Sequence, residues 1–196
     1  MNNVLILNGG KRYASAEGNL NLAMTQLAEE HLSTLGHNIQ VTHIAQDYDI
    51  EAELDKWQWA DVVIHQSPAW WMGPPWIVKK YIDEVLTAGH GRLYQSDGRT
   101  RSDGNKNYGA GGLIQDKQYM FSVTWNAPLE AFEDPSQFFE GAGVDGVYLA
   151  FHKAHQFLGM SAMKTFMCND VSKNPAIDGD FERYKSHLDD VFKQTS

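Results

Sequence analysis

Apolar and polar positions alternate along this chain in two rhythms. NVLILN (3–8) is a short continuous apolar run ending in Gly9-Gly10. LNLAMTQLAEEHLSTLG (20–36) follows, with Leu20, Met24, Leu27, Ala28, His31 and Leu35 at helical spacing and Gly36 as a stop. HNIQVTHI (37–44) predicts a second strand, IEAELDKWQWA (50–60) a short helix or turn, and DVVIHQS (61–67) a third strand. PPWIVKKYIDEVLTAG (74–89) opens with prolines where a helix tolerates them, keeps Ile77, Tyr81 and Val85 in line, and closes on Gly89. KQYMFSVTW (117–125) predicts a fourth strand, residues 143–158 a helix and MKTFMC (163–168) a fifth strand. Phe181, Tyr184, Leu188 and Val191 form the inward stripe of a last helix.

Strands alternating with helices predict an α/β fold: a doubly wound parallel sheet of five strands in the order 2-1-3-4-5, with helices on both faces and one domain over residues 1–196. In that order the loops after strands 1 and 3 flank the point where the winding reverses, and the loop after strand 4 lies beside them. All three are unusual: NGGKRYASAEG, SPAWWMGPP and TWNAPLEAF. One segment stands outside the pattern, residues 89–114. It is too long for a structureless loop in a compact domain and carries Tyr94 and Tyr108, so a functional insertion is the expectation.

Charge and cysteine usage then remove whole classes of partner. With 16 basic against 25 acidic residues the net charge is -9, and the cations are scattered, which argues against nucleic acid and anionic membrane. Cys168 is the single cysteine, and no apolar stretch approaches the roughly 18 residues of a membrane span. The N-terminus has no basic lead ahead of its short apolar run, so a cytoplasmic location is expected.

The first loop sets free N–H groups and the positive end of a helix where an anion such as a phosphate would sit, yet it is neither a Walker loop nor GxGxxG. An ordinary glycine-rich turn is the plainer alternative. In the second loop Trp70, Trp71 and Met72 on a proline-clamped turn make a rigid apolar wall suited to a flat conjugated ligand. The same rings also suit a plug at the sheet end or a subunit interface. The third loop offers Trp125, Asn126 and consecutive N–H groups ahead of Pro128 for the polar edge of that ligand. His152 and His155 lie one helical turn apart without a third ligand nearby, which argues against a metal, and Cys168 reads as a small apolar packing residue.

Taken together, PAWWMGPPWIVKKYID, GHGRLYQSDGRTR, YGAGGL, TWNAPLEAF and GVDGVYLAFHKAHQFLGM closely resemble the MdaB (modulator of drug activity B) family, flavodoxin-like NADPH quinone reductases related to the mammalian NAD(P)H quinone reductases. The likeness runs over essentially the whole chain. It implies an FAD-containing homodimer that moves two electrons from NADPH to flavin N5 and then to a quinone by a ping-pong mechanism. Carried over by position, the family's flavin contacts fall on Ala16, Glu17, Gly18, Asn19, Leu20, Asn21, Leu22 and Ala23; on Ala69, Trp70, Trp71 and Met72; on Tyr108; and on Thr124, Trp125, Asn126 and Ala127. Tyr108 and Asn126 are the supporting residues of a site without a catalytic side chain. Relatives carry a serine ahead of the Asn-Gly of the first loop where this chain has Ala16 and Glu17, which puts a hydroxyl contact to the pyrophosphate in doubt. EGAGVDG lacks the histidine of the mammalian tyrosine–histidine pair, leaving water as the proton source. A one-electron carrier of flavodoxin type and a flavin-binding regulatory subunit of a potassium efflux system are the competing expectations. Trp70, Trp71, Trp76 and Phe121 through Trp125 are more aromatic surface than one subunit is expected to cover, which predicts a partner copy.

Overall fold

The computed structural model describes residues 1–13 and 16–193. Ala14 and Ser15, within the sequence of the first loop, lie outside the described residues, as do residues 194–196 at the end of the predicted single domain.

The expected winding is present. β1 (Asn3–Asn8) pairs in parallel with β2 (Asn38–His43) and β3 (Val62–Pro68), and β3 pairs with β4 (Gln118–Thr124), so Val4 faces Ile39 and Val62 while His65 faces Phe121. Being covered on both faces, β1, β3 and β4 are buried almost end to end, which explains their lack of polar alternation. α1 (Asn19–Thr34) lies on one face, where its Met24, Ala28 and Leu32 join Val4, Ile6 and Met120. α2 (Ile50–Trp59) and α3 (Trp76–Ala88) lie on the other, where Trp57, Tyr81 and Val85 meet Leu5, Leu7 and Val63. Asp49 caps α2 by accepting from the Ala52 N–H at 2.9 Å, and that cap decides the helix over the turn. A short helix α4 (Glu130–Glu133), not expected, closes the third loop.

Two expectations need correction. The helix over 143–158 is broken at Tyr148 into α5 (Gly143–Val147) and α6 (Leu149–Phe157). The Tyr148 ring is buried against Phe121 and Trp125, and that anchoring takes precedence over continuous helical stacking. The fifth strand is likewise two pieces, β5 (Ser161–Ala162) and β6 (Phe166–Cys168), both on β4. Gln118 faces Ser161 but Ser122 faces Phe166, so one extra residue is taken up between them, a bulge in the edge row. The His187 Nε2–H donates to the outward Lys164 carbonyl at 2.9 Å and Arg183 Nη2 to that of Met167 at 3.3 Å, both from α7 (Ile177–Lys193), whose Tyr184, Leu188 and Val191 are buried as expected.

The 89–114 insertion is held by its own backbone. Gln95 N–H donates to Gly111 at 2.8 Å, Leu113 to Leu93 at 2.9 Å and Gly109 to Asp97 at 2.7 Å. A Cβ on Gly112 would come within 2.1 Å of the Leu158 backbone, so only glycine lets this segment lie on the end of α6. Among the described residues no helix is long and apolar enough to cross a membrane.

Candidate active site

Three loops meet at the carboxyl ends of β1, β3 and β4. Asn8 closes β1 by accepting at Oδ1 from the Gly10 N–H at 2.8 Å and from Asn21 Nδ2 at 2.7 Å, and the Asn21 Oδ1 accepts from Gln66 Nε2 at 3.1 Å. Strand ends and helix start are thereby fixed to one another. Asn21 is buried and its side chain is turned to this network, so it positions the first loop from below. The loop folds back on itself, with Tyr13 and Ala16 exchanging N–H···O bonds of 2.9 and 2.7 Å. Gly18, at φ 79°, introduces α1, which has no side-chain cap and no acid in its first turn. Glu17 stands exposed just ahead of it, while Leu20, Leu22 and Ala23 remain accessible along that turn. Asn19 is exposed and donates to Glu17 at 3.2 Å.

The second loop is the most unusual backbone in the protein. Ala69 is tied to the Thr124 carbonyl at 2.9 Å, and Trp70 and Gly73 exchange N–H···O bonds of 2.7 and 3.3 Å across the pair Trp71-Met72. Trp71 has φ 46° and Met72 φ 66°, so both sit in the left-handed region that glycine or asparagine normally fills in such a turn. Left-handed backbone costs an L-residue about 1 to 2 kcal/mol. The turn holds Trp71 92 % exposed and Met72 about half exposed, whereas Trp70 packs on Tyr13 with ring centroids 4.7 Å apart. The two tryptophans therefore differ in role: Trp70 joins the first and second loops, and Trp71 is presented to the outside.

In the third loop the expectation fails in part. The Trp125 N–H donates to the Cys168 carbonyl at 2.8 Å, and its ring is buried among Phe132, Phe139 and Tyr148. Trp125 is thus core, Thr124 is buried beside it, and Phe121 through Trp125 are covered by their own subunit rather than by a partner. The Asn126 Oδ1 accepts from the Ser172 N–H at 3.2 Å, and Ala127 accepts from Asp170, so both brace the 169–173 segment. The N–H groups of Asn126 and Ala127 make no hydrogen bond to the described residues. Tyr108 stands apart on the insertion, 73 % exposed, with Phe157 at 5.8 Å and Arg99 over its ring at 5.6 Å.

Both α6 histidines face inward. The Tyr119 hydroxyl meets His152 Nδ1 at 2.8 Å, and His152 Nε2 meets Asp145 at 3.2 Å. His155 Nδ1–H donates to the Phe151 carbonyl at 2.7 Å, so in the neutral ring Nε2 accepts, at 2.7 Å, from the Nε2–H of His65. Sequence reasoning missed this pair; the signal was His65 inside a strand, where the apolar run Val62-Val63-Ile64 gives way to polar residues. Burial lowers the His155 pKa to about 4 and that of His65 well below its usual value, and the nearby His155 ring adds to the effect on His65. Among the described residues no group of histidines, cysteine or acids could hold a metal. Cys168 is buried against Met24, and burial pushes its thiol up to about 12.

Two cavities adjoin these features. One of about 460 Å³ lies at the ends of β1 and β2, between Lys11, Tyr48, Trp76 and Lys80. A larger one, about 780 Å³, lies between α5, β6 and α7 and reaches the third loop only at Leu129, with Lys164 and Arg183 set against Glu133, Asp145, Glu182 and Asp190.

Comparison with known proteins agrees with the fold. The family model described as flavodoxin-like fold matches residues 2–190. The chain is 52 % identical to NADPH:quinone oxidoreductase MdaB of Haemophilus influenzae, over 97 % of its own length and 99 % of that protein's. Among solved structures, a candidate quinone reductase from Klebsiella pneumoniae superposes with a TM-score of 0.75 at 24 % identity, covering 100 % of this chain and 85 % of that one. General stress protein 14 of Treponema denticola, solved in complex with FMN, gives 0.69 at 18 % identity, covering 97 % and 98 % of the two chains. The chain belongs to the flavodoxin-like fold family and, within it, to the MdaB group.

Proposed function

We propose that this protein is an FAD-dependent NADPH:quinone oxidoreductase in which the hydride donor and the quinone use one flavin face in turn. The observation that carries the reading is the Trp71-Met72 turn. Backbone strain and an almost fully exposed tryptophan both raise the free energy of the protein alone, and such strain persists where a ligand uses the geometry. The 52 % identical MdaB protein supplies the donor and acceptor class.

The residues present fit a flavin dinucleotide. The uncapped start of α1 leaves N–H groups around Gly18 and Asn19 for a pyrophosphate, so the missing hydroxyl at Ala16 removes one contact without removing the backbone donors. Leu22 and Ala23 continue the accessible surface along α1, room a mononucleotide does not need. Ala69, Trp71 and Met72 would hold the ring system, with Trp70 fixing their loop to Tyr13. The free N–H groups of Asn126 and Ala127 would face its polar edge, where negative charge gathers on reduction. Tyr108 would close the site from the insertion. When bound, the flavin supplies a two-electron hydride acceptor and donor at N5. No side-chain acid or base is needed at the three loops, and the proton for the quinone comes from water. The enzyme works as a homodimer, a reading supported by Phe138 and Leu149, both more than half exposed and without a part in the three loops.

The purified protein is expected to be yellow and to release FAD on denaturation; FMN alone, or a colourless protein that takes up no FAD, overturns the cofactor. Initial rates with NADPH at several fixed menadione concentrations should give parallel double-reciprocal lines, and intersecting lines overturn the shared face. Sedimentation at micromolar concentration should report a dimer, and a fully active monomer refutes it.

A further inference from the structure

We infer that the cavity between the first loop and α3 is the subsite for the adenosine-phosphate half of the nicotinamide dinucleotide. The inference rests on the proposed reductase reading and adds to it the place where the non-reacting end of the donor is held.

The cavity of about 460 Å³ opens at the carboxyl ends of β1 and β2, the side on which doubly wound sheets take up the sugar of a nucleotide. Its walls carry the three chemistries that such a group needs. Trp76 presents an indole 59 % exposed, a flat face for a purine, and Tyr48 also lines the cavity. Lys11 extends from the first loop over the Trp76 ring at 5.1 Å, and neither it nor the adjacent Arg12 has a carboxylate partner among the described residues. In a chain of net charge -9 two neighbouring uncommitted cations are a local reversal, and Lys11, the one on the cavity wall, offers its ammonium to a phosphate. Asp47, also on the wall, offers a carboxylate to sugar hydroxyls.

The remaining charges are spent on shape. Glu84 accepts from the Tyr48 hydroxyl at 2.6 Å and from Lys80 at 3.0 Å, and Lys80 also lies over the Tyr48 ring at 5.2 Å. Those contacts, the tyrosine first, hold the Glu84 carboxyl below its usual range. Glu84 is therefore engaged by Tyr48 and Lys80, which offset its charge in the cavity. The subsite also lies next to the proposed ring wall, because Trp76 begins the helix that follows Trp71, Met72 and the two prolines.

Titration calorimetry on the protein as purified tests this with adenosine 2′,5′-bisphosphate and with ADP, and NADPH steady-state kinetics test whether each competes. One of them should bind, compete with NADPH, and lose about tenfold in affinity in Lys11→Ala and again in Trp76→Ala, as expected for one charge-assisted contact and one base stack. KM for NADPH should rise with kcat little changed, while KM for the quinone stays. Binding by neither compound, or competition indifferent to both substitutions, overturns the subsite even if NADPH oxidation is normal. Lysine-dependent binding without any NADPH-driven quinone reduction leaves the subsite standing and removes the reductase reading on which its role was based.

Discussion

Trp57 and Trp71 are the same residue handled in opposite ways. Trp57 is fully buried, its indole N–H donates to Tyr81 at 3.0 Å, and Tyr81 donates in turn to the buried Glu53 at 2.6 Å. Trp71 is 92 % exposed, its backbone is strained, and no ring among the described residues packs on it. The interior tryptophan is explained by the folded chain alone, through burial and a satisfied donor. The rim tryptophan is explained only by something the chain meets. A contrast of this kind separates residues kept for stability from residues kept for binding, and it can be broken experimentally from either side.

The largest effect belongs to the interior. Trp57→Ala should cost about 3 to 5 kcal/mol in urea unfolding, the usual loss for emptying a large aromatic site, while the folded fraction keeps native FAD affinity. A flavin-binding defect larger than the unfolded fraction accounts for would place Trp57 in the site after all. Next comes the buried histidine pair, which shares the aromatic core around Trp57. In the unfolded chain these histidines titrate near 6.5, but in the native state His155 does so only near 4, so between those values the unfolded state binds more protons. The stability this group supports is fully present above about pH 6.5 and is lost as pH falls toward 4. At about 1.4 kcal/mol per pH unit the loss approaches 3 kcal/mol, and His65 adds in the same direction. Urea unfolding free energies across that window should slope steeply in the native protein and less so in His155→Gln; equal slopes reject the assignment.

At the rim the expected energies are smaller and fall on ligand binding. Trp71→Ala should leave the apo-protein melting temperature unchanged and weaken FAD tenfold to a hundredfold, from lost stacking and apolar contact. An early-melting variant with native FAD affinity would make Trp71 a structural residue. The smallest change expected is a gain. Met72→Gly relieves a left-handed residue but loosens the unfolded chain, so stability should rise by less than about 1 kcal/mol while FAD binding weakens. A variant that melts earlier would show that φ 66° at this position is not strained.

The sheet was legible in the sequence because β1, β3 and β4 are buried on both faces and lack strict polar alternation, each built on an apolar stretch: VLIL, VVI and YMF. The placement of all three loops at one end follows from that order. What the sequence did not distinguish was direction within a loop. Trp70, Trp71 and Trp125 follow strand ends in the same way, yet the first braces, the second protrudes and the third is core. Periodicity ends with the strand, and beyond it the turn geometry decides where a side chain goes. The left-handed pair at Trp71 and Met72 carries no residue signal, since neither is a residue that prefers that conformation. The Asn8–Asn21–Gln66 network was equally hidden, because its three members are far apart in sequence and each alone reads as an ordinary polar end. The breaks at Tyr148 and between β5 and β6 arise from tertiary packing, and the local sequence continues its pattern through both.

The bulged edge row has a bearing on how crowded solutions of this protein behave. An open strand at the rim of a sheet offers its outward backbone groups to any extended chain, and long straight edges seed association. Here the row is cut into pieces of two and three residues, shifted by one residue, and two of its outward carbonyls are already taken by His187 and Arg183. An incoming strand would have to displace both side chains and still find no continuous register to extend. Deleting the extra residue to straighten the edge would therefore raise the tendency to aggregate at high concentration, even where the fold itself became no weaker.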